Sequence, residues 1–280
     1  MRKRRQLLLS LFVLLIGYMI HGSFIEFFNP DTVNEKDDIS ILTFNSLGSR
    51  GLHWSKNPEI GTQIVDFVTR QNSDIVSFQE FKSSDLKKYS QYPYTFVNYS
   101  RPKEKRVVQA ILSKYPIVNQ GSLKFPETLN NAIFADIVIH SDTIRVYNIH
   151  LESFKFRLGA IKREEPKRLL GRLNESFKKQ QEQALLIERH KHANSYKTII
   201  CGDFNNTQFS SVYNTIKGSM GDSFQERGSG MGNTYNFRFL PFRIDFILMD
   251  ESMEIITHKN FKVRLSDHEP IMASFRLKGQ

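Results

Sequence analysis

From Ile39 onward the chain alternates short β-rich runs with helical stretches, and the order of that alternation limits the fold more than any other feature. Residues 39–44, 74–78, 95–99, 107–112, 133–139, 143–149, 198–201, 244–248 and 272–275 are rich in β-branched and aromatic side chains and bounded by turn residues, which predicts strands. Ile60, Ile64, Phe67 and Val68 recur at helical spacing, and His140-Ser141-Asp142 reads as a hairpin turn. Helices and hairpins mix without a strict βαβ repeat. The expectation is an α/β chain with mixed sheets, not a doubly wound parallel sheet. A stretch of this length suits one large domain, residues 39–280, behind a short leader.

The leader opens Met1-Arg2-Lys3-Arg4-Arg5 and continues into an apolar run from Leu7 to Ile20. Those residues make a helix of only ~21 Å, against ~30 Å for a hydrocarbon core. Extending it through Ile25 reaches ~28 Å and brings Phe24, Phe27 and Phe28 into an interfacial belt. The reading over residues 1–28 is therefore a membrane anchor with the domain extracytoplasmic, periplasmic or at the cell surface. A cleaved signal segment and a secreted domain are the alternative. Residues 29–38, polar and containing Pro30, read as a linker.

The net charge of +10 is not spread evenly. Residues 154–192 carry 11 Lys+Arg against 5 Glu, and residues 2–5 at the start of the leader are all basic, so the rest of the chain is neutral. A local basic excess suits a phosphate-rich polymer or an anionic bilayer, or simply solvates a helix face. Within this segment Leu169, Leu173, Phe177, Ala184 and Ile187 set one apolar stripe on a long helix. Cys201, the single cysteine, excludes an intrachain disulfide and reads as a buried small hydrophobe.

Polar groups gather where the apolar runs end: Phe44-Asn45, Gln79-Glu80, Ile149-His150, Gly202-Asp203-Phe204-Asn205, Ile244-Asp245 and Ser266-Asp267-His268. Singly, each reads as a turn, a cap or a hydrogen-bonded residue. Together they supply carboxylates, amides and imidazoles, the set needed to hold a hard cation and cut a phosphate ester. The sequence has no zinc-spaced His/Cys cluster and no P-loop. Gly228-Ser229-Gly230-Met231-Gly232 lacks a strand-to-helix context and reads as a loop, not a phosphate cradle.

These stretches, in this order, resemble the endonuclease/exonuclease/phosphatase superfamily over residues 39–275. Ala110-Ile111-Leu112-Ser113-Lys114-Tyr115-Pro116-Ile117 matches that group's strand-and-turn segment. The resemblance implies a four-layer α/β sandwich, two packed mixed β-sheets flanked by helices, and hydrolysis of phosphate esters with Mg2+ or Mn2+. It implies Glu80 as principal metal ligand with Asn45 and Asp267 alongside. Asp203 would orient or deprotonate water, Asn205 would hold a phosphate oxygen, and Asp245 would orient His268 against the phosphate. His150 would stabilise the phosphate or assist the leaving group. Asp203 and His268 both remain open as general base.

The basic segment and the run Tyr235, Phe237, Arg238, Phe239, Arg243 point to nucleic acid as the phosphodiester, since aromatic rings stack bases and Arg grips phosphate. Burial in the core is the competing reading of those Phe residues. A phospholipid, sphingomyelin or inositol phosphate is the alternative substrate, and a non-catalytic binding module the remote one.

Overall fold

A computed structural model of the chain describes residues 2–21, 25–26, 35, 37–49, 58–99, 107–154, 165–237 and 240–278. Two six-stranded sheets form its centre. The first contains β1 (Ile39–Asn45), β2 (Ile75–Lys82), β3 (Tyr94–Asn98), β4 (Val107–Ser113), β13 (Met253–Asn260) and β14 (Ile271–Leu277), in the order β13-β14-β1-β2-β4-β3. The second contains β5 (Ile117–Ser122), β6 (Asn131–Ile139), β7 (Asp142–His150), β8 (Lys197–Asp203), β9 (Gly221–Asp222) and β12 (Asp245–Met249), in the order β5-β6-β7-β8-β12-β9. A two-stranded ribbon, β10 (Tyr235–Phe237) with β11 (Leu240–Phe242), lies outside both sheets.

Each sheet is antiparallel except at its centre, where β1 runs parallel to β2 and β7 parallel to β8. Parallel neighbours need a crossover, and helices supply it. α2 (Ile60–Gln71) joins β1 to β2, and α3 (Pro166–His192) joins β7 to β8. Two short helices follow, α4 (Ser211–Lys217) and α5 (Ser223–Arg227). The mixed, helix-flanked sandwich is the expected architecture.

Local chemistry sets the helix limits. α2 buries Ile60, Ile64, Phe67 and Val68 on one face and stops at Asn72, whose left-handed backbone (φ 51°) lets its N–H reach the Val68 carbonyl. α3 starts on Pro166, which costs no hydrogen bond in a first turn, and ends in Arg189-His190-Lys191-His192, favourable at a helix C-terminus. Ser210 caps α4 and Asp222 caps α5 through the N–H groups of Tyr213 and Phe224.

The apolar stripe expected on α3 is only half right. Ala184 and Ile187 are buried, but Phe177 is 45% exposed, and the inward face is completed by Ser176, Gln180 and Gln183. Those amides bond to loops of the second sheet, so the helix is held by polar contacts where the pattern called for apolar ones. Residues 155–164 of the basic segment lie outside the described residues, as do Arg238, Phe239, Phe24, Phe27, Phe28 and most of the expected linker.

The leader forms α1 (Arg2–His21), and from Leu7 to Tyr18 its large apolar side chains are exposed. Among the described residues no helix is long and apolar enough to cross a membrane. The expected transmembrane helix is therefore not supported: the basic start and His21 lie inside the helix and leave an apolar stretch of only ~21 Å.

Between the sheets, side chains change character along the strands. At one end Ile39, Ile41, Ile75, Ile111, Ile137, Ile144, Ile199, Ile247, Met249 and Phe275 make a dry core. Successive inward positions on β1 read Ile39, Ile41, Thr43, Asn45; on β7, Ile144, Val146, Asn148, His150; on β8, Ile199, Cys201, Asp203. The interior thus passes from aliphatic, through hydroxyl and amide, to carboxylate and imidazole.

Candidate active site

The polar end is built by strand register. His150 on β7 pairs with Asp203 on β8, and Asp203 pairs with Asp245 on β12, so these side chains stand in a row on the inner face of the second sheet. Asn45 and Glu80 come from the facing sheet, where Asn45 is registered with Gln79 on β2. Gly202 permits the approach of β7 and β8: its φ is +130°, and a Cβ there would sit 2.1 Å from the Ile149 carbonyl oxygen.

One oxygen is the meeting point. Asp203 Oδ2 accepts the Asn45 Nδ2–H at 3.0 Å and lies 3.5 Å from His150 Nε2 and 3.6 Å from His268 Nε2. Asp203 Oδ1 is occupied by the Asn205 N–H at 2.7 Å. His268, in the loop before β14, is held from behind by Asp245 Oδ2, 2.8 Å from its Nδ1. Burial alone would depress the His268 imidazole, but Asp245, Asp203 and Asp267 around it push it up to about 10. Burial raises the Asp245 carboxyl, against the pull of the adjoining His268. With three carboxylates facing one ring, the proton belongs on the imidazole.

Glu80 occupies a bulge. The β2–β4 register shifts between Phe78 and Phe81, and Glu80 has a φ of 48°. That left-handed conformation is costly for a residue with a Cβ, and Ser46 Oγ fixes it by donating to the Glu80 carbonyl at 3.0 Å. The half-buried Glu80 carboxylate has no hydrogen-bond or ion-pair partner among the described residues. Asp267 is half-buried beside His268, and one of its oxygens takes the Ser266 hydroxyl at 3.2 Å.

Asn205 is placed at the edge of the row with its amide donating to the Leu151 carbonyl at 2.9 Å, which leaves the second amide hydrogen for another acceptor. Tyr235 packs against His268 with ring centroids 4.9 Å apart and the rings tilted by 46°, and the two residues form a backbone bridge. Arg243 goes elsewhere. It is buried, forks onto Asp222 at 2.7 and 3.0 Å, and packs over Phe224 and Phe246, so it is a core ion pair and not a phosphate grip. The Gly230 N–H is spent on the Glu26 carbonyl and the Gly228 N–H on Phe224, in keeping with a loop rather than a phosphate cradle.

Two features were not read from the sequence. Thr234 Oγ1 accepts the N–H groups of Ile244 and Asp245, while its carbonyl takes the Glu269 N–H, so one buried residue ties the Asp245 and His268 segments together. Behind the row, Gln79, Gln109 and Asn148 form a buried amide network between the sheets. The available signal was period-two spacing: Asn148 stands two residues before His150, as Thr43 stands before Asn45.

The donors suit a hard divalent cation. Asn45, Glu80 and Asp267 offer oxygen only, and the Glu80 carboxylate, without a partner among the described residues, is the group a cation would satisfy. Asp203, Asp245 and His268 also bring potential ligand atoms within 4.8 Å of one another. Within this group Asp245 and His268 are hydrogen-bonded to each other at 2.8 Å, and Asp203 stands 3.6 Å from the same ring.

Comparisons with known proteins agree with this geometry. A sequence model described as the Endonuclease/Exonuclease/phosphatase family matches residues 42–268. A search of curated proteins finds no match. Among solved structures, TDP2 of D. rerio, complexed with single strand DNA product, superposes with a TM-score of 0.65 at 16% identity, over 86% of this chain and 100% of that one. An endonuclease/exonuclease/phosphatase from Bacteroides vulgatus gives 0.64 at 19% identity, over 87% and 100%. The mannosyl-6-phosphatase Bt3783 of Bacteroides thetaiotaomicron gives 0.63 at 18%, over 85% and 100%. At these identities the likeness shows a shared fold.

Proposed function

Because the chain belongs to the endonuclease/exonuclease/phosphatase family and is a phosphoesterase, we propose that it is a divalent-metal-dependent phosphodiesterase acting on nucleic acid. The observation that carries the reaction is the convergence of Asn45, His150 and His268 on one oxygen of buried Asp203. The two imidazoles stand 3.5 and 3.6 Å from that oxygen, beyond a close hydrogen bond, so neither Nε2 is committed to it. In this reading Asp203 orients water and takes its proton, since His268 is held protonated by its carboxylates and acts as a donor. His268 and His150 present Nε2–H groups to phosphate oxygens, and Asp245 holds the His268 ring by Nδ1. Asn205 contributes its free amide hydrogen to the phosphate. A Mg2+ or Mn2+ ion held by Glu80, Asn45 and Asp267 would neutralise charge developing on the phosphoryl oxygens.

The substrate class rests on α3. Its N-terminal half displays Lys167, Arg168 and Lys178 to solvent, and the helix is fastened to the site by Gln180, which donates to the carbonyls of Glu152 and Asn205. A polyanion entering the site would pass this basic face. A second reading, a phospholipid or inositol phosphoester, is favoured by exposed Leu129, Leu170 and Phe177 among the same charges.

Side-by-side hydrolysis of plasmid DNA, single-stranded DNA, RNA, sphingomyelin and inositol phosphates by the full-length protein with Mg2+ tests both, with Glu80→Ala as control. Nucleic-acid cleavage lost in the control supports the first reading, and lipid or inositol cleavage supports the second. We also propose an extracytoplasmic domain, because a basic start followed by a short apolar helix fits an export signal. Cell fractionation with N-terminal sequencing of the recovered protein checks it.

A further inference from the structure

The amides behind the active site do more than fill space. Asn148 on β7 reaches across to the other sheet: its Nδ2 donates to the Phe78 carbonyl at 2.8 Å and the Ala110 carbonyl at 3.0 Å. Those carbonyls lie on β2 and β4, the two strands between which the Glu80 bulge forms. Its Oδ1 accepts Gln79 Nε2 at 2.8 Å, and Gln79 Nε2 also lies 3.1 Å from Thr43 Oγ1. From β4, Gln109 Nε2 returns to the second sheet through the carbonyls of Asn131, at 3.1 Å, and Asn148, at 3.0 Å. All three amides are at least nine-tenths buried.

Position in the chain gives this network its meaning. Gln79 immediately precedes Glu80, Asn148 stands two before His150, and Thr43 two before Asn45. The site draws its metal-side groups, Asn45 and Glu80, from one sheet and its phosphate-side groups, His150 and Asp203, from the other. Aliphatic packing is non-directional. Buried hydrogen bonds are directional and costly to leave unmade, so they fix the offset. A purely apolar layer here would hold the sheets together without specifying their register.

We propose that Asn148, Gln79 and Gln109 are positioning residues that set the separation between the metal side and the phosphate side of the site. This rests on the phosphoesterase reading above. They act through Glu80 and His150 and touch no reacting atom.

The test compares Gln79→Met, close in volume but unable to donate, with Ile137→Val in the aliphatic end of the same interior. Full-length proteins would be assayed on bis(4-nitrophenyl) phosphate, and Mn2+ binding would be followed by electron paramagnetic resonance without substrate. Thermal melting puts both variants on one stability scale. The expectation is a kcat at least tenfold lower and several-fold weaker Mn2+ binding for Gln79→Met, with KM little changed. Ile137→Val should stay within twofold of the unaltered protein on every reading. If Gln79→Met does not fold, Thr43→Val removes one acceptor of the same amide and should show the same pattern at smaller size.

Unaltered kcat and Mn2+ affinity in a folded Gln79→Met would overturn the positioning role. So would losses that only track melting temperature across both variants. A native protein that binds Mn2+ but cleaves no phosphoester would instead overturn the functional reading on which the proposal stands.

Discussion

Asp203 and Asp245 are directly paired across β8 and β12, yet only Asp245 has an imidazole nitrogen at close hydrogen-bonding distance, His268 Nδ1 at 2.8 Å. The same ring turns Nε2 toward Asp203 at 3.6 Å. Under the proposed reaction, two neighbouring carboxylates of one sheet face would take different tasks: Asp245 would hold the imidazole, and Asp203 would keep an oxygen for the attacking water.

That division predicts the pH behaviour of Asp245→Asn. Asp245 is the foremost carboxylate raising His268 to about 10, so removing its charge lowers the imidazole. The form carrying the donor proton is then lost at lower pH. The alkaline limb of the kcat/KM profile should move to lower pH, and an unmoved limb would show that His268 does not act as the donor.

Asp203→Asn should retain the fold and lose activity. The amide can still accept the Asn205 N–H that Oδ1 takes at 2.7 Å, but it cannot receive a proton from water. A fall of about 10²–10⁴ in kcat is expected, with an unchanged far-ultraviolet dichroism spectrum. Near-native turnover would transfer the base role to His268.

EDTA should abolish activity, and Mg2+ or Mn2+ should restore it. Glu80→Gln should require more metal for half-maximal rate, because the side chain offered to the cation loses its charge. Full turnover in chelator would remove the metal from the mechanism.

Arg243→Met should destabilise the protein without weakening substrate binding. Burial pushes the Asp222 carboxyl up, but Arg243 and the Tyr213 hydroxyl hold it below the ordinary aspartate range. Removing the guanidinium strands a buried charge, at a cost of about 3–5 kcal/mol by urea denaturation. A raised KM with unchanged stability would return Arg243 to the substrate.

His258, on β13, gives the fold an acid-sensitive element. Burial depresses it to about 4, and its Nδ1 lies 2.8 Å from Ser223 Oγ. As pH falls, the unfolded chain takes up the proton first. Its contribution is therefore complete above about 6.5 and is lost between there and about 4, on the order of 3 kcal/mol. His258→Gln should flatten the pH dependence of urea denaturation across that window.

The central strands were legible because burial on both faces makes them nearly continuous apolar runs, as in β6 and β8. The edges were not. β5 reads Ile-Val-Asn-Gln-Gly-Ser and β13 carries Glu254, His258 and Lys259, the polar content that keeps an edge from pairing with another chain. At the site, Asn45, Glu80, His150, Asp203, Asp245 and His268 stood out because each follows an apolar run. Thr234, Gln79 and Asn148 did not, because their roles come from partners far along the chain. Arg243 was misread for the same reason: nothing adjacent in sequence announces Asp222.

The pairing of β1 with β14 joins the first strand of the domain to its last, Ile39 opposite Phe275. A nascent chain therefore carries Asn45 and Glu80 long before the ribosome has made Asp267, His268 or the strand that completes the first sheet. A chain that stops short of His268 lacks both that residue and the strand that pairs with β1, so the row of site residues is complete only once that segment has been made.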